Sequence, residues 1–335
     1  MDKEKLKRIP GVLPLYHYLY KLAHPQWLMT YQVFRYNKKR FKRYSGAFRT
    51  SKGRDLAYLT WFYHQIEKGL AMRDMRLGFG VEKIIRLNQT IDKYVSKYGA
   101  NDTQLRDAIA VMFEYQHVHE EAGYQLPTNI LAILDKKRKQ YPDIPKLVQQ
   151  GSTSNTYFSN IHADFNLFSK SRHSIRNFSG AISIQQIIDA IDLARNAPSA
   201  CNRQPSRVHI ITQQKQIEAC LALQNGNRGF GYLADKLLVV TGDLSTVLGA
   251  QEFFDLNTNV GIFIMNLSYA LHYHKVAHCI LNWYVLPKAD KKLRQILELP
   301  ENETVICFIV CGSLPKEFKI VSSPRITAED IYMLH

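Results

Sequence analysis

Apolar positions recur at helical spacing through residues 55–145. Leu105, Ile109, Met112 and Gln116 form one stripe, opening after Asp102, which stands where a helix N-cap belongs. Ile84, Leu87, Ile91, Tyr94, Val95 and Tyr98 form a second, and Gly99 follows as its C-terminal stop. Leu126-Pro127-Thr128 opens a further helix that ends in the basic run Lys136-Lys137-Arg138. No strand pattern stands out in this half, and the small polar residues 149–156 read as a linker.

From about residue 166 the pattern changes. Ser183 with Gln186 three positions on is a capping box, and Ile184, Ile187, Ile188 and Ile191 continue one apolar face behind it. Val208 to Thr212, Leu237 to Thr241 and Val305 to Cys311 are short apolar runs, the kind buried on both faces by helices. Asn259 to Leu271 is apolar on nearly every side and predicts a helix buried all round, in a core or a subunit interface. Leu293, Ile296 and Leu297 mark a last amphipathic helix. The expectation is an α+β fold, a helix-covered central sheet preceded by an all-α extension. Its parts are a basic arm (1–50), a helical extension (51–150), a linker (151–165) and the α+β domain (166–335).

Composition sharpens this in one place. The 335 residues carry a net charge of +15, and residues 1–50 hold twelve Lys/Arg against two Asp/Glu, so ten of the excess charges sit in the arm. They are densest at Lys38, Lys39, Arg40, Lys42 and Arg43, a cluster suited to an anionic surface or an acidic partner, or simply to solvent. No specific nucleic-acid signature accompanies it. The first residues are charged at once and lack a cleavage-site pattern, and no run approaches about 18 apolar residues, so a cytoplasmic chain is expected. The cysteines, Cys201, Cys220, Cys279, Cys307 and Cys311, are odd in number and form no C-x-x-C pair, which argues against a disulfide framework or a cysteine zinc site.

Most chemical signatures are missing. There is no phosphate-binding G-x-x-x-x-G-K-[ST] and no H-E-x-x-H. Gly229 to Ala234 fits G-x-G-x-x-A but precedes a strand rather than following one. His272, His274 and His278 cannot share one helix face and have no acidic neighbour, so no metal is expected. His64 with Glu67, and His117 or His119 with Glu120, read as helix-surface pairs. One constellation remains. Ser171-Arg172-His173-Ser174-Ile175-Arg176-Asn177-Phe178 sets two guanidiniums and a hydroxyl within five positions, a donor set matched to a phosphate. One helix later, Ala197-Pro198-Ser199-Ala200-Cys201-Asn202-Arg203-Gln204-Pro205 is a rigid loop whose amides can both donate to and accept from a flat heterocycle. Taken singly, the first could be a surface ion-pair cluster and the second a tight connector.

In this order and spacing the two pieces resemble the nitroreductase-like flavin reductase family, with its R-[RH]-S-x-[RK]-x-F and A-P-S-x-x-N-x-Q-P segments. The resemblance extends through the strand Ala277 to Trp283 and through Ser323-Pro324-Arg325. It implies an FMN-dependent oxidoreductase of the nitroreductase-like domain type. NAD(P)H would be co-substrate and a small electron-poor molecule the acceptor, in a homodimer with FMN at the interface. Arg172, His173, Ser174 and Arg176 would hold FMN, the first and third on the phosphate and Arg176 on the pyrimidine edge. Arg325 would be a second phosphate ligand. Pro198, Ser199, Asn202 and Gln204 would line the pocket across the interface, Leu281 and Asn282 would lie at flavin N5, and Asn227 and Arg228 near the ring. The sequence departs from the family at Asn282, often glycine there, and at Ser323, often lysine. The segment His64 to Leu70 resembles a motif of an extended branch of this family, and on local pattern reads as a helix end with Gly69 as its stop. Two other outcomes are compatible with the same residues. One is a specialised flavin dehydrogenase acting on a peptide or sugar intermediate. The other is a degenerate flavin domain serving as an adaptor.

Overall fold

The structure, a computed structural model, describes residues 25–335. The expectations for the N-terminal segment, including the first half of the arm, fall on residues 1–24 and lie outside the described residues.

The first half is helical, as its periodicity requires. α1 spans Gln26–Tyr44 and buries no residue. α2 (Lys52–Leu70) starts at Ser51, whose hydroxyl accepts from the Arg54 N–H at 3.2 Å. α3 covers Val81–Tyr98 and ends on Gly99 at φ 82°, a backbone conformation that a side chain would oppose. α4 (Thr103–Glu121) lies at the centre of this layer and is buried on most sides, and α5 (Thr128–Gln140) flanks it. Leu59, Ile66, Ile84, Leu87, Ile91, Ile109 and Met112 make one dry core. Asp102 occupies the N-cap position of α4, but its carboxylate does not cap. It accepts from the Tyr94 hydroxyl at 2.8 Å and pairs with Lys52 at 3.0 Å instead.

The stretch expected as a linker is ordered. Gln150–Thr153 is strand β1, followed by a single helical turn, Ser154–Tyr157. β1 pairs antiparallel with a strand near the end of the chain, Gln150 opposite Ile320 and Thr153 opposite Glu317. The partner strand supplies the buried residues, Phe318 and Ile320, so β1 needs no apolar residue and leaves no signal in the hydropathy pattern.

The second half is a four-stranded antiparallel sheet between helices. α6 (Phe165–Ser171) leads to a non-helical segment, then to α7 (Ile184–Ala194), whose capping box of Ser183 and Gln186 is formed. β2 (Ser206–Ile211), α8 (Gln214–Leu221), β3 (Lys236–Asp243), α9 (Asp255–Tyr273), β4 (Ala277–Asn282), α10 (Pro287–Leu297) and β5 (Glu303–Gly312) follow, and β6 is Glu317–Ile320. The sheet order is β2-β3-β5-β4. Alternation along β3 sends Leu237 and Val239 to the core under α8 and α10, and Leu238 and Val240 to the core under α7 and α9. Within one chain α9 keeps Ile262 and Met265 42% and 38% open on one face, so its apolar surface is not all in this chain's core. One expectation changes here. On α7, Ile187 is buried but Ile184 and Ile188 face outward.

The helical layer touches the sheet layer in several places. Met72 packs on the core that contains β4 and β5, the Tyr232 hydroxyl lies 3.2 Å from Asp74, and the Phe34 and Phe253 rings meet edge-on at 4.8 Å. No helix among the described residues is long and apolar enough to cross a membrane.

Candidate functional site

The segment after α6 runs along the β4 edge of the sheet. The Ile175 N–H donates to the His278 carbonyl at 2.9 Å, and Ser179 and Gly180 exchange bonds with Ser313. The Tyr157 hydroxyl clamps the start of the segment, donating to the His173 carbonyl at 3.0 Å and accepting from the His173 N–H at 3.1 Å. Ile175 and Phe178 anchor it in the core. The register of Arg172, His173, Ser174 and Arg176 is thus fixed by backbone bonds and two apolar anchors, while the polar side chains stay partly open.

The electrostatics of this corner are one-sided. Among the described residues no carboxylate pairs with Arg172, Arg176 or Arg325, whereas Arg203, Arg207, Arg294 and several lysines all have such partners. The Arg172 Nε is buried and has no hydrogen-bond partner. Burial, then the charges of Arg172 and Arg325, hold His173 below the ordinary histidine value, which places Arg325 on the same corner. Burial pushes the Cys279 thiol up against the opposing pull of Arg176, so a neutral thiol forms part of the floor. A buried guanidinium N–H without an acceptor costs free energy unless an anion or water meets it. The corner, with its cations and its open Arg172 donor, therefore fits an anionic group such as a nucleotide phosphate.

Two buried histidines lie behind the arginines and are held neutral. Ser171 Oγ donates to the Phe168 carbonyl at 2.8 Å, so the 2.9 Å contact with His272 is a donation from the imidazole Nε2. Burial lowers the His272 pKa to about 3. His278 donates from Nδ1 to the Val276 carbonyl at 3.0 Å and accepts from Ser268 at 2.7 Å, and burial lowers it to about 4. No group of three metal-ligating side chains is assembled among the described residues.

The far end of β4 brings in Asn282 and the loop before β3. Gln224 reaches from that loop and donates to the Asn282 carbonyl at 3.0 Å, while its Oε1 accepts from the Gly226 N–H at 2.6 Å. The Asn227 amide is spent inside the loop, on the Leu221 and Gln224 carbonyls, and Arg228 is exposed. Leu281 is buried and packs in the sheet core.

The loop Pro198 to Gln204 is elsewhere. It precedes β2, on the edge of the sheet opposite β4, three strand spacings or about 14 Å across the sheet. Cys201, Asn202 and Gln204 all adopt positive φ, at 52°, 54° and 49°. Such backbone costs roughly 1–2 kcal/mol per residue and persists only where bonds over-determine it. Ser199 Oγ accepts from the Gln204 N–H at 3.0 Å, Asn259 accepts from the Ala200 N–H at 2.8 Å, and Arg203 bonds the Thr246 carbonyl and Glu252. Among the described residues no hydrogen bond or ion pair within one chain joins this loop to the arginine corner.

Two residues that the motif search did not assign stand at the corner. The helix end in His64 to Leu70 lies against it, with Glu67 buried and accepting from the Ser323 N–H at 2.6 Å. Ser323 takes φ 44°, and its carbonyl accepts from Arg325. Lys68 donates to the Gly226 carbonyl at 2.7 Å. Gly69 is not a stop, because α2 continues to Leu70; a Cβ there would lie 2.2 Å from the Phe79 ring. His64 does pair with Glu67, Nδ1 to Oε2 at 3.4 Å, but Glu67 is buried rather than on the surface, and His119 is buried too, accepting from the Gly78 N–H at 2.9 Å. His117 pairs with Glu121 at 2.9 Å rather than with Glu120. A surface cavity of about 500 Å³ lined by Tyr44, Arg54, Tyr58 and Trp61 holds none of these residues.

Comparison with known proteins points to the same segment. No curated protein matches the chain. Among solved structures, a nitroreductase family protein from Streptococcus pneumoniae is 21% identical, with 51% of this chain and 100% of that chain covered and a TM-score of 0.44. An FMN-dependent nitroreductase from Clostridium difficile is 17% identical, covering 50% and 98%, at 0.43. A further nitroreductase family protein from Clostridium difficile is 23% identical, covering 50% and 95%, at 0.41. Residues 169–239, which hold the arginine segment, the Pro198 to Gln204 loop and Asn227, match the model of the nitroreductase family.

Proposed function

We propose that the protein is an FMN-dependent oxidoreductase that takes reducing equivalents from NAD(P)H and delivers them to a small electron-poor acceptor. The observation that carries this reading is the buried Arg172 Nε, without a partner among the described residues, in a corner where Arg176 and Arg325 also lack carboxylates among those residues. The family match over residues 169–239 supports it.

When bound, FMN supplies the redox chemistry at N5, and the protein supplies binding and charge. Arg172 and Ser174 hold the phosphate, with Arg325 closing on it from the C-terminal segment. Burial and the neighbouring guanidiniums hold His173 below the ordinary histidine value, so the guanidiniums would carry most of the charge that meets a phosphate. Arg176 faces the pyrimidine edge, where a fixed cation favours developing negative charge. Asn282 and its neighbour Leu281 border the ring near N5. No side chain is assigned as acid, base or nucleophile.

The strained loop at Asn202 and Gln204 completes the pocket from a second copy. The sheet separates it from the arginines of its own chain, and its amides face outward, as a heterocycle held between two subunits requires. The open apolar face of α9 at Ile262 and Met265 is the surface on which the copies meet. The basic helix α1, with no buried residue and with Trp27, Tyr31 and Phe41 exposed among its lysines and arginines, serves an anionic surface or acidic partner. Denaturing the purified protein should release FMN, identified by mass spectrometry, and NADH or NADPH should bleach its visible absorbance anaerobically. Release of a different cofactor would overturn the reading. Retained FMN that neither nicotinamide reduces would instead favour the specialised dehydrogenase.

A further inference from the structure

Lys68 belongs to the helical extension, not to the segment that matches the family. Its ammonium has no carboxylate partner among the described residues. It donates to the Gly226 carbonyl at 2.7 Å and sits 4.9 Å from the centre of the Phe230 ring. Gly226 in turn is bonded to Gln224, and Gln224 to Asn282, so Lys68 is tied by three bonds to the end of β4. The adjacent Glu67 faces the other way, onto Ser323, and fixes the helix end against the C-terminal segment. The charged and titratable groups that bear on Lys68 are Arg176, Cys279 and Lys83. Lys68 and Arg176, one from each layer of the molecule, therefore act on each other as like charges, with Lys83 adding to them, and neither of the two has a carboxylate partner among the described residues. Like charges set side by side in a half-buried corner cost free energy, and an anionic group placed against both relieves it.

Resting on the flavin reading above, we infer that Lys68 is a second cation at the pyrimidine edge of FMN, brought there by the helical extension to stabilise the reduced ring. Two electrons and one proton, the proton at N5, leave a single negative charge on the N1–C2 carbonyl edge, the side that Arg176 faces. Lys68 adds to that field and so acts more on reduced than on oxidised flavin. The helical extension is thereby a working part of the redox site.

The test is the midpoint potential of bound FMN, read spectroscopically against a reference dye during slow anaerobic reduction. Lys68→Gln keeps a donor for the Gly226 carbonyl and removes the charge. It should weaken binding of reduced FMN about tenfold more than binding of oxidised FMN, a fall of about 30 mV for a two-electron couple. Lys68→Arg should hold the wild-type potential. If Lys68→Gln loses its fold, Lys68→Met read in the same way decides the matter. A potential unchanged in an uncharged variant that still binds FMN overturns the role of Lys68 and leaves the flavin reading standing. A wild-type protein that takes up no FMN overturns both.

Discussion

At the scale of single residues, the corner gathers cations that have no carboxylate partner among the described residues. Burial, then Arg176, lower the Lys68 pKa from 10.5 to about 8. Between those two values the unfolded chain holds this proton and the folded chain does not. Lys68 therefore makes the folded state gain stability as pH rises across that window. Lys83 adds to the depression and the Cys279 thiolate would oppose it. Arg176→Ala removes the repulsion but not the burial, so the Lys68 pKa should climb from about 8 part of the way toward 10.5. Competitive acetylation followed by mass spectrometry reads that midpoint directly. A midpoint unmoved by the substitution would mean that the two side chains do not share a site.

At the scale of elements, α2 shows how one helix end serves both packing and chemistry. Gly69 sits inside the helix under the Phe79 ring, which in turn stacks edge-on with Tyr115 at 5.4 Å. Alanine would gain about 1 kcal/mol of helix propensity. The overpacked ring should cost more, about 1–3 kcal/mol. Gly69→Ala should therefore lower the denaturant midpoint, and a rise would show that Phe79 moves aside freely. Three of the four sheet strands and the helices from α2 to α5, α7, α9 and α10 were legible because each carries its own apolar face, as in Ile84 to Tyr98 and Leu237 to Thr241, whereas β4 was reached only through the family resemblance and α1, α6 and α8 were not anticipated. β1 was not, because its buried partners stand in β6, 167 or so positions downstream of a polar stretch. The roles of Glu67 and Lys68 were hidden for a similar reason. Local pattern sees a helix end, and only the fold brings Ser323 and Gly226 to it. Asn227 shows the converse, since a residue placed correctly in the site loop spends its amide on that loop.

At the scale of the whole molecule, two layers with separate cores meet along the corner that holds the unpaired cations. The arginine segment and the strained loop share one family-matched stretch of sequence, yet the sheet sets them at opposite edges. On the proposed reading, a site that uses both would take two chains, each lending its Asn202 loop to the other's arginines. On that reading the phosphate end of the site rests on Arg172, whose buried Nε has no partner among the described residues. The most direct measurement is calorimetric titration of FMN into cofactor-stripped protein, wild type beside Arg172→Ala. One FMN should bind per chain, and the substitution should weaken it about 10- to 100-fold, the equivalent of one charge-assisted hydrogen bond. Equal affinity in the two proteins, or no uptake by the wild type, would contradict the account.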